Sequence, residues 1–234
     1  MEQQVKSKKR VADHGEVFTA EREVNAMLDL VKQETDRIGS RFLEPACGNG
    51  NFLAEILRRK LAVAERCYKK SPADFQMWSI YALTDLYGVE LLMDNVIECR
   101  ERLYQIWDTA YSSICKKEID EEVRRVAKFI LEKNILCGNA LSLKQVNENG
   151  QDTDEPIIFA EWGQIDTKLK RRDFRLDLLL EAEASKEKPK EVSLFGNDLT
   201  DTDKWMIDPE THKSIPKPIR EFEPKDYRRI WEDA

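Results

Sequence analysis

The sequence predicts a doubly wound α/β fold built on a mostly parallel sheet. Short apolar segments alternate with amphipathic helical segments, an order that is typical of βαβ units. A turn with two glycines one residue apart follows the first apolar segment, and the second apolar segment ends in an acidic residue. Both features belong at the carboxyl edge of such a sheet, where open α/β folds bind their ligands.

The glycine-rich turn is the stretch around which the chain is organised. Residues 41–44 are a short strand candidate, the turn Pro-Ala-Cys-Gly-Asn-Gly follows, and a helix is expected from about Asn51 to Lys60. Gly48 and Gly50 have no Cβ to keep a ligand away from the backbone. The start of the helix presents unpaired N–H groups to an acceptor. A chance Gly-x-Gly turn is the alternative, but the strand before it and the helix after it favour a nucleotide-type site.

The remaining elements are predicted from apolar periodicity. The first helix carries Val24, Met27, Leu28 and Val31 on one stripe, and Thr19 occupies its N-cap position. The expected helices are at about 20–34, 72–83, 93–107, 119–132 and 176–180, and the further strands are at 86–90, 134–141 and 156–162.

Glu90 is the acidic residue at the end of the second predicted strand. A carboxylate at this position can accept hydrogen bonds from both ribose hydroxyls of an adenosine cofactor. The alternative is an acid that simply ends a strand in solvent.

Composition narrows the functional classes. The 234 residues predict one domain with an appendage, with 41% hydrophobic and 35% charged residues and a net charge of −7. The polar N-terminus and the lack of an apolar run near ~18 residues predict a cytoplasmic protein with no membrane contact. Five scattered cysteines and two histidines predict reduced thiols and no metal site. The net negative charge is unusual for a protein that binds DNA alone.

Residues 44–52, Glu-Pro-Ala-Cys-Gly-Asn-Gly-Asn-Phe, resemble the S-adenosylmethionine-binding signature of adenine-N6 DNA methyltransferases from restriction–modification systems. The third glycine of the dinucleotide fingerprint is replaced by Leu53, which disfavours nicotinamide or flavin binding. Residues 15–19, Gly-Glu-Val-Phe-Thr, resemble the N-terminal cofactor motif of the same family, although Ala20 stands where the family usually has proline. Residues 87–90, Tyr-Gly-Val-Glu, resemble its second motif.

The resemblance implies a fold of the class I S-adenosylmethionine-dependent methyltransferase type, with S-adenosyl-L-methionine as cofactor. Glu90 would then bind the ribose, and Asn139 would accept from the adenine amino group where most relatives have aspartate, so the loss of charge would weaken binding. The cofactor-binding residues that it implies are Phe18, Thr19, Glu44, Pro45, Ala46, Gly48, Asn49, Gly50, Glu90, Leu91, Asn139 and Ala140.

The catalytic half of the family pattern is not seen. In the family, an Asn/Asp/Ser-Pro-Pro-aromatic motif after the fourth strand holds the adenine that is flipped out of the duplex. The eight prolines of this chain include no adjacent pair, and residues 208–211, Asp-Pro-Glu-Thr, are the nearest match. The resemblance covers about residues 8–143, and the catalytic residues stay unknown.

Residues 168–175, Lys-Leu-Lys-Arg-Arg-Asp-Phe-Arg, carry the densest positive charge in the chain. Such a run is more often a solvated strand or hairpin than a nucleic-acid contact, and both interpretations remain open. Under the second interpretation, the side chains that would contact DNA are Lys168, Lys170, Arg171 and Arg172.

We therefore expect a methyltransferase-like cofactor-binding domain at residues 1–184, with a flexible stretch at 1–13, and an irregular charged arm at 185–234. The expected function is adenine-N6 DNA methylation in a restriction–modification or phage-defence system, alone or with a partner chain that supplies the catalytic and recognition parts. The alternative is a catalytically inactive cofactor-binding or structural subunit of such a complex. Homo- and hetero-oligomers are both open.

Overall fold

Three parallel strands form the sheet that carries the glycine-rich turn in the computed structural model, which describes residues 5–187, 204–207 and 214–233. The middle strand β2 lies between β1 and β3, with Leu43 opposite Tyr87 and Val89 opposite Leu136. All three carboxyl ends therefore meet at one edge. The strands are β1 (Phe42–Glu44), β2 (Leu86–Glu90) and β3 (Ile135–Cys137).

Helices fill the connections between these strands and form most of the core. Trp107 and Tyr111 are fully buried and stacked, and hydrogen bonds from Trp107 to Ser79 (3.1 Å) and from Gln76 to Tyr111 (2.7 Å) satisfy their polar atoms. The helices are α1 (Lys8–His14), α2 (Glu21–Asp29), α3 (Lys32–Thr35), α4 (Asn51–Tyr68), α5 (Pro72–Thr84), α6 (Met93–Cys115), α7 (Glu121–Asn134) and α8 (Leu176–Glu187), with 3-10 turns at Lys116–Glu118 and Tyr227–Asp233.

Antiparallel strands follow the parallel sheet along the chain. The long hairpin β6–β7 packs against β2, where the Tyr87 hydroxyl donates to the Ala160 carbonyl at 3.1 Å and the Tyr87 ring meets Phe159 edge-on. These strands are β4 (Lys144–Val146), β5 (Asp152–Pro156), β6 (Ile158–Ile165), β7 (Lys168–Arg175), β8 (Trp205–Ile207), β9 (Ser214–Pro216), β10 (Arg220–Glu221) and β11 (Lys225–Asp226).

The structure is a mixed α/β fold that is compatible with the methyltransferase type. The segment expected as a fourth strand at 156–162 mostly forms β6, but this strand pairs antiparallel with β7 and does not extend the parallel sheet. A short apolar run has no feature that distinguishes these two environments, because strand direction depends on the partner. Among the described residues, no helix is long and apolar enough to cross a membrane.

The helix expected at 20–34 is divided into α2 and α3. Ala20, not Thr19, occupies the N-cap of α2, and no side chain caps this helix. The predicted cap role of Thr19 was therefore wrong; its carbonyl instead accepts from Asn51 Nδ2 at 2.8 Å. The helices predicted from Asn51 and Met93 begin there but extend to Tyr68 and Cys115.

Both chain ends contain more regular structure than composition suggested. Within the stretch expected to be flexible, α1 begins at Lys8, and Ser7 caps it by accepting from the Arg10 N–H. Within the expected arm, α8 ends at Glu187 and the last 3-10 turn packs on α7, with Arg125 over the Trp231 ring. Strands β8 to β11 also belong to this arm, whereas residues 188–203, 208–213 and 234, which include the near match at 208–211, lie outside the described residues.

Lys60 is a fully buried cation that anchors the start of β1. Its ammonium donates to the carbonyls of Ile38 (2.7 Å) and Ser40 (2.5 Å), lies 5.5 Å from the centre of the Phe42 ring and is 4.0 Å from Asp85. Burial lowers the pKa of Lys60 from 10.5 to about 8, although Asp85 opposes this shift.

The pH dependence of stability is expected to report Lys60. Between pH 8 and pH 10.5 the unfolded chain binds more protons at this side chain than the folded protein does, so the contribution of Lys60 to the free energy of unfolding rises with pH. The rise is up to ~1.4 kcal/mol per pH unit. Buried thiols and phenols such as Cys115 and Tyr81 have raised pKa values and oppose this rise in the same pH range, so the test is a difference between proteins. Denaturant titrations should show that, from pH 8 to pH 10.5, the free energies of unfolding of the wild type and of the exposed control Lys70→Met increase relative to that of Lys60→Met. Identical pH profiles for all three proteins would contradict the assignment.

Candidate ligand site at the carboxyl edge of the sheet

The turn after β1 adopts a conformation that two glycines make possible. Gly48 has φ of 52° and Gly50 has φ of 87°, both in the left-handed region. A Cβ at Gly48 would lie 3.2 Å from the ring of Phe18, and a Cβ at Gly50 would lie 2.6 Å from the Sγ of Cys99. The turn therefore needs glycine for its backbone and for its packing. Gly50 is also the N-cap of α4, which no side chain caps.

Glu90 connects this turn to the next one. Its Oε2 accepts from the Gly48 N–H at 2.9 Å, and its Oε1 accepts from the Leu92 N–H at 3.0 Å. The buried amide of Asn95 lies 3.4 Å from the same Oε1. Each carboxylate oxygen has two lone pairs, so the carboxylate can still accept from a ligand. Glu90 thus stabilises the turns after β1 and β2 and faces the edge of the sheet.

The first residues of the turn lie nearer to solvent. Burial raises the pKa of Glu44, and a backbone hydrogen bond at Ala46 partly offsets that effect. Pro45 and Ala46 are exposed, while Glu44 and Asn49 are half-buried. Because backbone groups here are accessible, this part of the turn can approach a ligand.

Residues before α2 lie against the glycine turn. The Phe18 ring contacts Gly48, and Asn51 at the start of α4 holds the carbonyl of Thr19. Glu16 accepts from the Asn95 amide at 2.6 Å. Residues 16–19 therefore contact both the glycine turn and the start of α6, which are distant from them in sequence.

Asn139 follows β3 at the same edge, because the Gly138 N–H donates to the Glu90 carbonyl at 2.9 Å. Its side-chain oxygen accepts from the Leu141 N–H at 3.0 Å, and its amide donates to Asp152 at 2.9 Å. Hydrogen bonds from Ser142 and Asn139 lower the pKa of Asp152. Asn139 therefore joins its own turn to the β4–β5 hairpin.

Most of the predicted site residues lie in the turns after β1, β2 and β3, and the hydrogen bonds of Glu90 and Gly138 join these turns. Leu91 and Ala140 are half-buried neighbours of Glu90 and Asn139. Sequence reasoning missed Glu16 and Asn95. In the sequence Asn95 is only a polar residue at the start of a predicted helix, and its burial, with 1% exposed, is visible only in the structure.

The basic stretch forms β7, and carboxylates neutralise most of its charge. Lys170 pairs with Glu221 and Arg172 pairs with Glu161, both at 2.5 Å. Arg171 is 5% exposed and makes two hydrogen bonds to Asp173. The prediction that Arg171 contacts nucleic acid is therefore corrected. Arg171 lies on the inner face of β7, where it forms a buried ion pair with Asp173.

Comparison with known proteins gives a distant relationship. One similar protein is DNA methyltransferase A of Bacillus subtilis (strain 168), which is 24% identical over 164 residues. The matched region is 67% of this chain and 18% of that protein, so the chain spans less than a fifth of the relative's length. No family model matches the chain, and no solved structure matches it. The chain is thus an α/β protein with a distant, partial similarity to a DNA methyltransferase.

Replacing Asn139 by aspartate is expected to destabilise the protein at neutral pH. The substitution removes the amide donor and places a second carboxylate beside Asp152, where like charges repel. Denaturant titration should give Asn139→Asp a lower free energy of unfolding than wild type at pH 7, and the deficit should shrink at acidic pH. The double variant Asn139→Asp/Asp152→Asn should recover stability at pH 7. A fully stable single variant would mean that this contact does not form.

Proposed function

We propose that the chain binds S-adenosylmethionine at the carboxyl edge of its parallel sheet and serves as the cofactor-binding part of an adenine-N6 DNA methyltransferase. The observation that carries the proposal is the hydrogen bond from the Gly48 N–H to Glu90, which unites a left-handed glycine turn with an acid at the tip of the adjacent strand. The similarity to a DNA methyltransferase supports it. On this proposal, residues 1–184 form the cofactor-binding domain and 185–234 an arm of a restriction–modification or phage-defence component.

The residues at this edge fit the proposed cofactor. A side chain at Gly48 or Gly50 would collide with Phe18 or Cys99, so the turn must carry no side chain at these two positions. Glu90 offers acceptor capacity to hydroxyl groups, and the free N–H groups at the start of α4 suit a negatively polarised group. When bound, the cofactor would supply an electrophilic methyl group.

Each residue would have a distinct role in binding. Glu90 would accept a ribose hydroxyl through the remaining lone pair of Oε2, because Leu92 and Asn95 already donate to Oε1. The turn 45–50 would cover the ligand with backbone, and Phe18 would exclude water from the side facing Gly48. Asn139 would contact the adenine through the remaining lone pair of its amide oxygen, since Leu141 uses the other.

A binding experiment tests the proposal. Ligand at ~100 times its Kd should stabilise the folded protein by ~2.7 kcal/mol, which gives a clear upward shift of Tm. We expect S-adenosylmethionine or its demethylated product to produce this shift in wild type. Glu90→Gln, which keeps the size but not the charge of the side chain, should weaken binding at least tenfold by calorimetry.

Glu101→Gln is the matched control, because Glu101 is an exposed acid on α6 whose carboxylate binds only Gln105 among its described hydrogen-bond partners. It should bind like wild type. No shift in the wild type at millimolar cofactor would overturn the proposal.

Two observations favour a partner chain for catalysis. The sequence has no adjacent prolines, so the motif that would hold a flipped adenine is not seen. Among the described residues, β1 pairs only with β2, so its other edge is free to pair with a further strand. The second candidate function is a cofactor-binding subunit without catalysis of its own, and the neutralised charges of β7 favour it over a lone DNA enzyme.

The isolated chain is expected not to methylate DNA. Non-specific affinity for a duplex depends on phosphate contacts, and a chain with net charge −7 whose Lys170 and Arg172 are paired offers few of them. The protein should be incubated with labelled cofactor and random-sequence duplexes at low salt, alone and with the product of the neighbouring gene. Label on adenine with the isolated chain would overturn the need for a partner, and label only with the neighbour would identify a split enzyme.

A further inference from the structure

Residues 5–20 lie across the carboxyl edge of the sheet and are attached to α6 by charge. Lys6 Nζ lies 2.5 Å from Glu98 Oε2 and 3.6 Å from Asp94, and it also donates to the side-chain oxygen of Asn95 at 2.7 Å. All three partners belong to the first turns of α6. Lys6 thus joins the start of the described chain to the helix that follows Glu90.

Arg10 makes the second attachment. Its guanidinium binds both carboxylate oxygens of Asp94, with the NH2–Oδ1 distance at 3.2 Å, and it donates to Glu16 at 2.7 Å. The hydrogen bond from Arg10 holds the pKa of Asp94 below its ordinary value, and Lys6 acts in the same direction. The Arg10 side chain is 24% exposed, so this pair is partly shielded from solvent.

The attachments continue inward to the candidate site. Glu16 accepts from Asn95 at 2.6 Å, and the same Asn95 amide lies 3.4 Å from Glu90. Two residues further on, the Phe18 ring lies on Gly48. Release of Lys6 and Arg10 from α6 would therefore also loosen the groups that cover Gly48 and position Asn95.

We infer that Lys6 and Arg10 form an ionic clasp with Asp94 and Glu98 that holds residues 5–20 closed over the site and must open for ligand to enter and leave. The identity of the ligand rests on the proposed function, whereas the clasp itself is a property of this segment and α6. Because partly exposed ion pairs are screened by salt, the clasp opens more often as ionic strength rises. It therefore makes the residence time of the ligand dependent on salt.

Hydrogen exchange of the full-length protein without ligand tests the clasp directly. We expect amides in α1 and at residues 16–19 to exchange at least tenfold faster in Lys6→Gln/Arg10→Gln than in wild type, and faster in wild type at 1 M than at 0.05 M salt. The matched control is Lys8→Gln/Lys9→Gln, which removes the same charge from the same segment, where Lys9 pairs only locally with Asp13. Equal exchange in the two double variants, or no effect of salt, would overturn the clasp.

Charge exchange separates a specific pair from a general effect of charge. Arg10→Asp should open the segment, and Arg10→Asp/Asp94→Arg should recover part of the lost protection, because the exchange restores this pair but leaves like charges beside Glu16 and Lys6. Failure of the double variant to recover protection while it stays folded by circular dichroism would mean that the pair does not hold the segment.

Stopped-flow dissociation of S-adenosylmethionine tests the consequence for the site. Dissociation should be about tenfold faster from Lys6→Gln/Arg10→Gln than from wild type or from Lys8→Gln/Lys9→Gln. An unchanged dissociation rate in Lys6→Gln/Arg10→Gln would overturn the proposal that the clasp must open before the ligand can leave. Salt-sensitive protection of residues 8–19 without any cofactor binding would support the clasp and overturn the proposed function, so the two failures are distinguishable.

Discussion

One carboxylate organises the carboxyl edge of the sheet. Glu90 accepts N–H groups from the turn after β1 and from the turn after β2, and it lies against the buried Asn95. Hydrogen bonds to a charged acceptor are worth roughly 1.5–3 kcal/mol, more than those between neutral groups. The position of the glycine turn relative to α6 depends on this side chain. Any ligand bound here would meet a carboxylate that the backbone has already oriented.

At Gly48 and Gly50, the backbone conformation and the packing of neighbouring side chains both require glycine. Gly48 and Gly50 adopt left-handed backbone angles, and each is covered by a side chain from elsewhere: Phe18 from the segment before α2 and Cys99 from α6. A substitution would therefore strain the turn and also displace a packed neighbour. This double requirement is stronger than that of a glycine whose surroundings are open, such as Gly150, which has no atom within 4 Å of its missing Cβ position.

The basic strand shows why charge density in a sequence is a poor guide to a binding surface. On β7, Arg171 and Asp173 lie two residues apart on the same face, so they pair in the interior. Lys170 and Arg172 lie on the other face and are paired with Glu221 and Glu161. A run of like charges in sequence thus becomes a set of ion pairs once neighbouring strands are added.

The sequence by itself determined the local elements and the turn that carries the site. Strand β1, the glycine turn and the start of α4 at Asn51 were predicted because each depends on side-chain chemistry within a few residues. The position of Glu90 at the tip of β2 was predicted for the same reason. The start of α6 at Met93 likewise follows from local periodicity.

Only the tertiary structure decided which distant groups meet. The contacts of Lys6 and Arg10 with α6 join residues 89 and 84 positions apart, and no local pattern encodes such a pairing. The direction of β6 depended on its partner β7, and the burial of Arg171 depended on the carboxylate beside it and on the packing of the hairpin. Periodicity reports which face of an element is apolar; it carries no information about which other element covers that face, because that choice depends on contacts distributed over the whole fold.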